Sequence, residues 1–262
     1  MTFWDHLEEL RWVAVRLVCI WVVTAIAFFL AMPILFDSVM LAPCNNDFAT
    51  YELLRSVAAY FEVEGGFVDQ DFGVKLVNLN LAAPLLIHLS TSFSLAFVTT
   101  APYLFFEIWR FVNPALYPAE RSGVGRIFLF GSFMFYVGLI VGYYLIFPLT
   151  LRFLASYQLS ELIETTLSIE SYMDNFTMLL LSMGIAFELP LMLWLLSLMG
   201  IVSRPMLRRY RRHAVVAIVI VAAVITPTSD PFTLAIVALP LYMLYELSLI
   251  IVRDTTRQPQ DL

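Results

Sequence analysis

The sequence predicts an all-α membrane protein with six transmembrane helices, the last two short, and with both termini in the cytoplasm. Three observations carry that prediction. Of the 262 residues, 61% are apolar and only 14% are charged. The apolar residues fall in runs near the ~20 that a helix needs to cross a hydrocarbon layer of about 30 Å at ~1.5 Å per residue. The basic residues gather mostly between those runs. Backbone groups in lipid must bond internally, so helices joined by polar turns follow.

The first span covers 13–36. The residues before it lack the basic start of a secretory signal, with Asp5, Glu8 and Glu9 standing there instead, and no small-residue cleavage site follows. This span is therefore expected to stay in the mature protein. Residues 37–80 form a long acidic loop. The second span, 81–106, has Pro84 and Pro102 near its ends. The third, 127–148, carries Gly131, Gly138 and Gly142, and the last two make a GxxxG pattern that lets helices approach closely. The fourth covers 172–199. The fifth, 214–226, is hemmed by Arg212-His213 and Thr226-Pro227, and its apolar run measures only about 18 Å. Two readings of it stand: an ordinary adaptation or re-entrant hairpin, and a locally thinned membrane. The sixth, 232–252, has Pro240 in its middle. The whole reads as a single membrane domain, 1–262.

Orientation follows from the basic residues. A cytoplasmic N-terminus puts twelve arginines inside and leaves only Arg55, Lys75 and Arg152 outside; the reverse topology inverts that ratio. The net charge of −6 is misleading in such a chain, because the signs are segregated.

A catalytic reading finds no parts. His6, His88 and His213 lie in separate regions, and no HExxH pair, GxSxG elbow or phosphate loop occurs. Cys19 and Cys44 give neither a disulfide framework nor metal-ligand spacing. No metal, cofactor or nucleic acid is expected, and no enzymatic activity.

Polar groups near or within the spans carry more information, because they are costly there and usually have a task. Glu188, in Phe187-Glu188-Leu189-Pro190, lies in the body of the fourth span, and Pro190 removes a helical hydrogen bond beside it. The pair suggests a kink facing a wet cavity or another helix; a protonated carboxyl bonded to a neighbouring hydroxyl is the plainer alternative. Glu107 and Glu246 lie nearer span ends, as anchors, and His88 is interfacial.

Before the first span, Phe3, Leu7 and Leu10 recur at helical spacing, with Asp5, Glu8, Glu9 and Arg11 on the remaining faces. That pattern suits an amphipathic helix on the membrane surface, and it equally suits an acidic patch that meets a basic ligand. A second such element is Asn113-Pro114-Ala115-Leu116-Tyr117-Pro118-Ala119-Glu120-Arg121, where two prolines hold Glu120 stiffly.

These segments resemble the TatC family, the multi-spanning receptor subunit of the twin-arginine protein translocase. The resemblance rests on His6-Leu7-Glu8-Glu9-Leu10-Arg11, on Phe111-Val112-Asn113-Pro114-Ala115-Leu116-Tyr117 with Glu120-Arg121, on Phe187-Glu188-Leu189-Pro190, and on Thr226-Pro227 with Asp230. Leu239-Pro240 and Tyr245-Glu246 add to it, and the ordered set spans nearly the whole chain.

The resemblance implies a protein of the bacterial inner membrane that binds twin-arginine signal peptides of folded cargo and assembles with single-span TatA/TatB-type subunits. Transport would be driven by the proton-motive force. Glu9, Arg11 and Glu120 match positions tied to signal-peptide recognition, with Glu8 as a neighbour. Pro43 matches a family proline just outside the first span. Glu188 matches the family's intramembrane glutamate, and Thr226 and Asp230 fall in the region where partner helices dock. Many relatives carry a glutamine shortly after that aspartate, where Leu234 stands here, and the 37–80 loop is longer than the family leads one to expect. The resemblance also implies homo- and hetero-oligomers in contact with lipid. The alternative function is a proton-coupled secondary transporter with Glu188 as its carrier, which predicts halves that repeat; none is evident.

Overall fold

The computed structural model describes residues 3–60, 74–112, 121–157, 166–226 and 230–252, and nearly all of them are helical. Helix α1, Phe3–Leu35, starts in the acidic segment and runs through the first span without a break. A wide turn, Phe36–Met40, and a tight one, Ala42–Cys44, lead to α2, Ala49–Tyr60. Part of the predicted 37–80 loop is therefore helical, with Thr50 and Tyr51 of α2 buried. Strand β1, Leu76–Val77, pairs in parallel with β2, Leu167–Ser168. Between them come α3, Ala83–Val112, then α4, Arg121–Val141, a second wide turn, Gly142–Ile146, and α5, Phe147–Ser156. The chain closes with α6, Ile169–Ala186; α7, Leu189–Leu198; α8, Arg204–Arg209; α9, Arg211–Ile225; and α10, Pro231–Ile251.

Among the described residues, five helical stretches are long and apolar enough to cross a membrane: Leu10–Tyr60, Ala83–Ile108, Leu129–Ser156, Ile169–Leu198 and Pro231–Ile251. Helix α9 has 15 residues. It spans about 22 Å and falls short. The third stretch runs past the predicted end at 148 to Ser156. The wide turn at Gly142–Ile146 lets the helix continue past Pro148, which has no N–H to give.

The chain divides into two compact units, Met1–Ser132 with Leu151–Thr177, and Phe133–Thr150 with Met178–Leu262. In the first, α1 and α3 pack antiparallel, since contacting residues rise along one and fall along the other. Phe29 stacks on His88 at 4.0 Å, and His88 Nε2 lies 2.8 Å from the Phe29 carbonyl oxygen. Trp21 Nε1 donates to the Phe93 carbonyl at 3.1 Å, and Arg16 meets Glu107. At the end of the hairpin away from Arg16, Tyr172 donates its hydroxyl to the Met40 carbonyl at 2.6 Å, and Tyr51 donates to the Pro43 carbonyl at 3.0 Å. The buried Arg152 guanidinium sits 5.3 Å from the centre of the Tyr51 ring.

In the second unit α10 packs against α7 and α9, burying Val237, Leu241, Leu244 and Leu249. The GxxxG expectation holds. Gly138 lies against Met183 and Phe187, and Gly142 against Leu180 and Met183. Lipid tails are as apolar as leucine, so helices associate there by close approach, which small residues permit.

A Cβ at position 138 would stand 2.6 Å from the Met183 carbonyl oxygen and 2.8 Å from Phe187 Cβ, while at position 142 nothing is nearer than 3.4 Å. Gly138→Ala is therefore expected to destabilise by roughly 1–3 kcal/mol, and Gly142→Ala far less. Thermal unfolding of the two variants in detergent checks this order, and equal midpoints would contradict it.

Candidate recognition and docking sites

The first candidate site starts on α1. Glu8 and Arg11 stand one turn apart with 3.8 Å between Nη2 and Oε1, their side chains 67% and 68% exposed. A pair so open to water holds neither side chain firmly. Arg11 also lies beside the Trp12 ring, 5.7 Å from its centre. Glu9 is carried on the same helix. Glu120 lies outside the described residues, beyond the end of α3 at Val112. Because α1 and α3 are antiparallel, the start of α1 and the end of α3 emerge from the same end of the hairpin.

Inside that end is a group that reading the sequence missed. Arg16 donates from Nε to Glu107 Oε1 at 3.2 Å and from Nη2 to Oε2 at 3.3 Å. Tyr103 donates its hydroxyl to the same Oε1 at 2.7 Å. Glu107 is 1% exposed, so the expected anchor at a span end is in fact a buried, three-bonded carboxylate. Its signal in the sequence was a charge inside the first apolar run and another just past the second, but the partners stand 91 positions apart.

The second candidate site is Glu188. Helix α6 stops at Ala186 and α7 starts at Leu189, with Pro190 in its first turn, where a missing N–H is harmless. The kink expected from Glu188 and Pro190 is thus a break between two helices. The backbone there is satisfied, Glu188 N–H bonding the Ile185 carbonyl at 3.0 Å and its own carbonyl accepting from Met192 N–H at 2.9 Å. The side chain is not. Both carboxyl oxygens are buried without a hydrogen-bond partner among the described residues.

Thr226 and Asp230 have local roles. The Thr226 hydroxyl donates to the Ala222 carbonyl at 3.0 Å and closes α9. Asp230 caps α10, its carboxylate accepting from Thr233 N–H at 2.8 Å, with Pro231 in the first turn. Leu234 follows in that turn, its N–H bonded to the Asp230 carbonyl at 3.0 Å. Along α9, Val215, Val216, Val219, Ile220 and Val224 are exposed and apolar. Glu246 pairs with Arg211, whose Nε donates at 2.6 Å. Pro43 is buried beneath Tyr51. Among the described residues no group of three His, Cys, Asp or Glu side chains is placed to hold a metal ion.

Comparison with known proteins agrees with this geometry. Residues 5–240 match the family of the Sec-independent protein translocase protein, TatC. The chain is 30% identical over 252 residues to the Sec-independent protein translocase protein TatC of Blattabacterium sp. subsp. Periplaneta americana, covering 96% of this chain and 94% of that one. It is 30% identical to the Aquifex aeolicus protein of the same name, covering 100% and 99%. A crystal structure of the twin-arginine translocase receptor TatC in DDM superposes with a TM-score of 0.75 at 26% identity, covering 95% of this chain and 99% of that one.

The cap on α10 yields a stability test. Asp230→Ala leaves the Thr233 N–H without its acceptor and should cost about 1 kcal/mol, whereas Asp230→Asn keeps a capping oxygen and should cost only a few tenths. Thermal unfolding in detergent distinguishes them, and equal losses would argue against a cap.

Proposed function

The chain belongs to the TatC family of Sec-independent protein translocase proteins, and from that premise we propose that it is the receptor subunit of a twin-arginine translocase in a bacterial inner membrane. It crosses six times, α9 included, with both termini in the cytoplasm, and the twelve-to-three division of basic residues supports this.

A signal peptide with consecutive arginines docks at the cytoplasmic end of the α1–α3 hairpin. Glu9 and Glu120 take the guanidinium forks, Glu8 stands beside them, and Arg11 orients the carboxylates. The observation that carries this reading is the antiparallel packing of α1 on α3, which sends the acidic start of one and the chain following the other out from the same end. A carboxylate accepts both prongs of an arginine, whereas lysine supplies the charge without the fork.

The apolar part of the peptide then lies beside α9 and α10, where single-span TatA/TatB-type subunits are recruited onto the exposed valine and isoleucine face of α9. Glu188, its oxygens unmet among the described residues, bonds a polar residue of a partner helix or draws water into the bilayer. Thr226 and Asp230 hold the polar turn between α9 and α10. Pro43 fixes the external cap. Folded cargo crosses at the expense of the proton-motive force, within a homo- and hetero-oligomeric assembly.

The same unmet carboxyl favours a second reading, a proton-coupled secondary transporter with Glu188 as carrier. That reading leaves the acidic cytoplasmic end without a task.

The test is binding of a twin-arginine signal peptide to the detergent-solubilised protein. Glu9→Ala and Glu120→Ala should each weaken it at least about tenfold, and a twin-lysine peptide should bind as poorly. Binding that ignores both carboxylates and the arginines would overturn the receptor reading.

A further inference from the structure

Resting on the receptor reading, we propose that Arg16, Glu107 and Tyr103 are positioning residues: a clamp that sets the register of α1 against α3 and so the spacing of the two acidic recognition segments. None of the three touches the peptide. They act through the helices that carry Glu9 and lead to Glu120.

The clamp has the geometry for this. Both prongs of Arg16 engage both oxygens of Glu107, at 3.2 and 3.3 Å, and the Tyr103 hydroxyl adds a third bond at 2.7 Å. A two-pronged contact fixes an angle as well as a distance, so it restrains rotation of α1 about its axis and its slide along α3. Apolar contacts cannot do this in lipid, where a slipped helix exchanges one greasy neighbour for another. A charge left unpaired in an apolar span is costly, so the clamped register is strongly preferred to any that separates the pair.

The clamp also stands in the right place. Among the described residues, polar ties join the hairpin at Phe29 with His88, at Trp21 with Phe93 and at Arg16 with Glu107, and of these the last is nearest the acidic end. Position 9 precedes Arg16 by one heptad, which returns a helix to within about 20° of the same direction. The rise over those residues is ~10 Å, and α3 continues ~7.5 Å from Glu107 to its end at Val112. The two helices thus leave the clamp side by side. A slip of one turn would move Glu9 by ~5.4 Å, far beyond the tolerance of a hydrogen bond. Holding the start of α1 in register with the end of α3 before the peptide arrives lowers the ordering cost of binding.

The experiment compares wild type with Arg16→Gln, Glu107→Ala, Glu107→Gln, the single reversals Arg16→Glu and Glu107→Arg, and the exchange that combines them, in a background carrying Cys19→Ser and Cys44→Ser. Three quantities are measured: affinity for a twin-arginine peptide, the distance between spin labels at the exposed positions Leu10 and Ile108, and the thermal unfolding midpoint. Arg16→Gln and Glu107→Ala should weaken binding about tenfold and broaden the label distances, with the unfolding transition still cooperative. Glu107→Gln, which keeps a hydrogen-bonding partner for Arg16, should lose less, and the exchange should recover binding lost by either single reversal. Unchanged affinity and distances in Glu107→Ala, beside a Glu9→Ala that no longer binds, overturn the clamp and leave the receptor reading standing. Affinity that falls only in step with the unfolding midpoint, in every variant, reduces the triad to ordinary stability and likewise overturns it. A wild type that does not bind the peptide removes the receptor reading itself, and with it a clamp for recognition.

Discussion

The absence of water around the spans governs everything else in this protein. A peptide group in hydrocarbon has no solvent to bond, so the chain must supply every partner, and helices do this within themselves. Polar side chains in the spans follow the same rule. Thr24, Ser92, Thr100 and Ser248 each donate their hydroxyl to a carbonyl four residues back, and Thr226 does the same at the end of α9. These groups are satisfied on their own helix and ask nothing of a neighbour. What remains unsatisfied, or satisfied only from another helix, is therefore informative.

Two buried carboxyls show the contrast. Glu107 is met from two helices by three donors, so both of its oxygens are bonded within the protein. Glu188 sits where the helix breaks before Pro190, its backbone fully bonded and its side chain not. Residue type and burial are alike, yet among the described residues the first carboxylate is fully engaged and the second has no hydrogen-bond partner. Reading both as span acids conceals that difference, because it lies in the partners.

The spans were legible because a bilayer imposes one length and one kind of backbone. The predicted first span, 13–36, lies within Phe3–Leu35 and one turn beyond, and the sixth, 232–252, appears as Pro231–Ile251. The GxxxG pair found its neighbour on α6 because glycine leaves little else to do in a packed helix. Features that depend on distant pairing were not legible. The β1–β2 contact joins Leu76 to Leu167, and nothing local in either stretch announces it. The third stretch runs beyond 148 to Ser156, and the wide turn placed before Pro148 permits that continuation. Arg16 was read for its side of the membrane and Glu107 as a lone anchor, though each explains the other.

The same device recurs in the second unit. Tyr103 and Glu107 stand four residues apart and meet Arg16 from another helix; Tyr242 and Glu246 stand four residues apart and meet Arg211 from another helix. In each case two neighbouring helices of an antiparallel pair are tied near one end of the pair. A tyrosine one turn before the glutamate supplies a donor from the same helix, so the carboxylate is oriented before the arginine arrives. The two ties differ chiefly at the carboxylate, the Glu107 side chain being 2% and the Glu246 side chain 31% exposed, beside Arg16 at 40% and Arg211 at 52%. Attraction between charges weakens as water enters, and so does the penalty for parting them. The α1–α3 tie is accordingly the firmer of the two and the α9–α10 tie the easier to open.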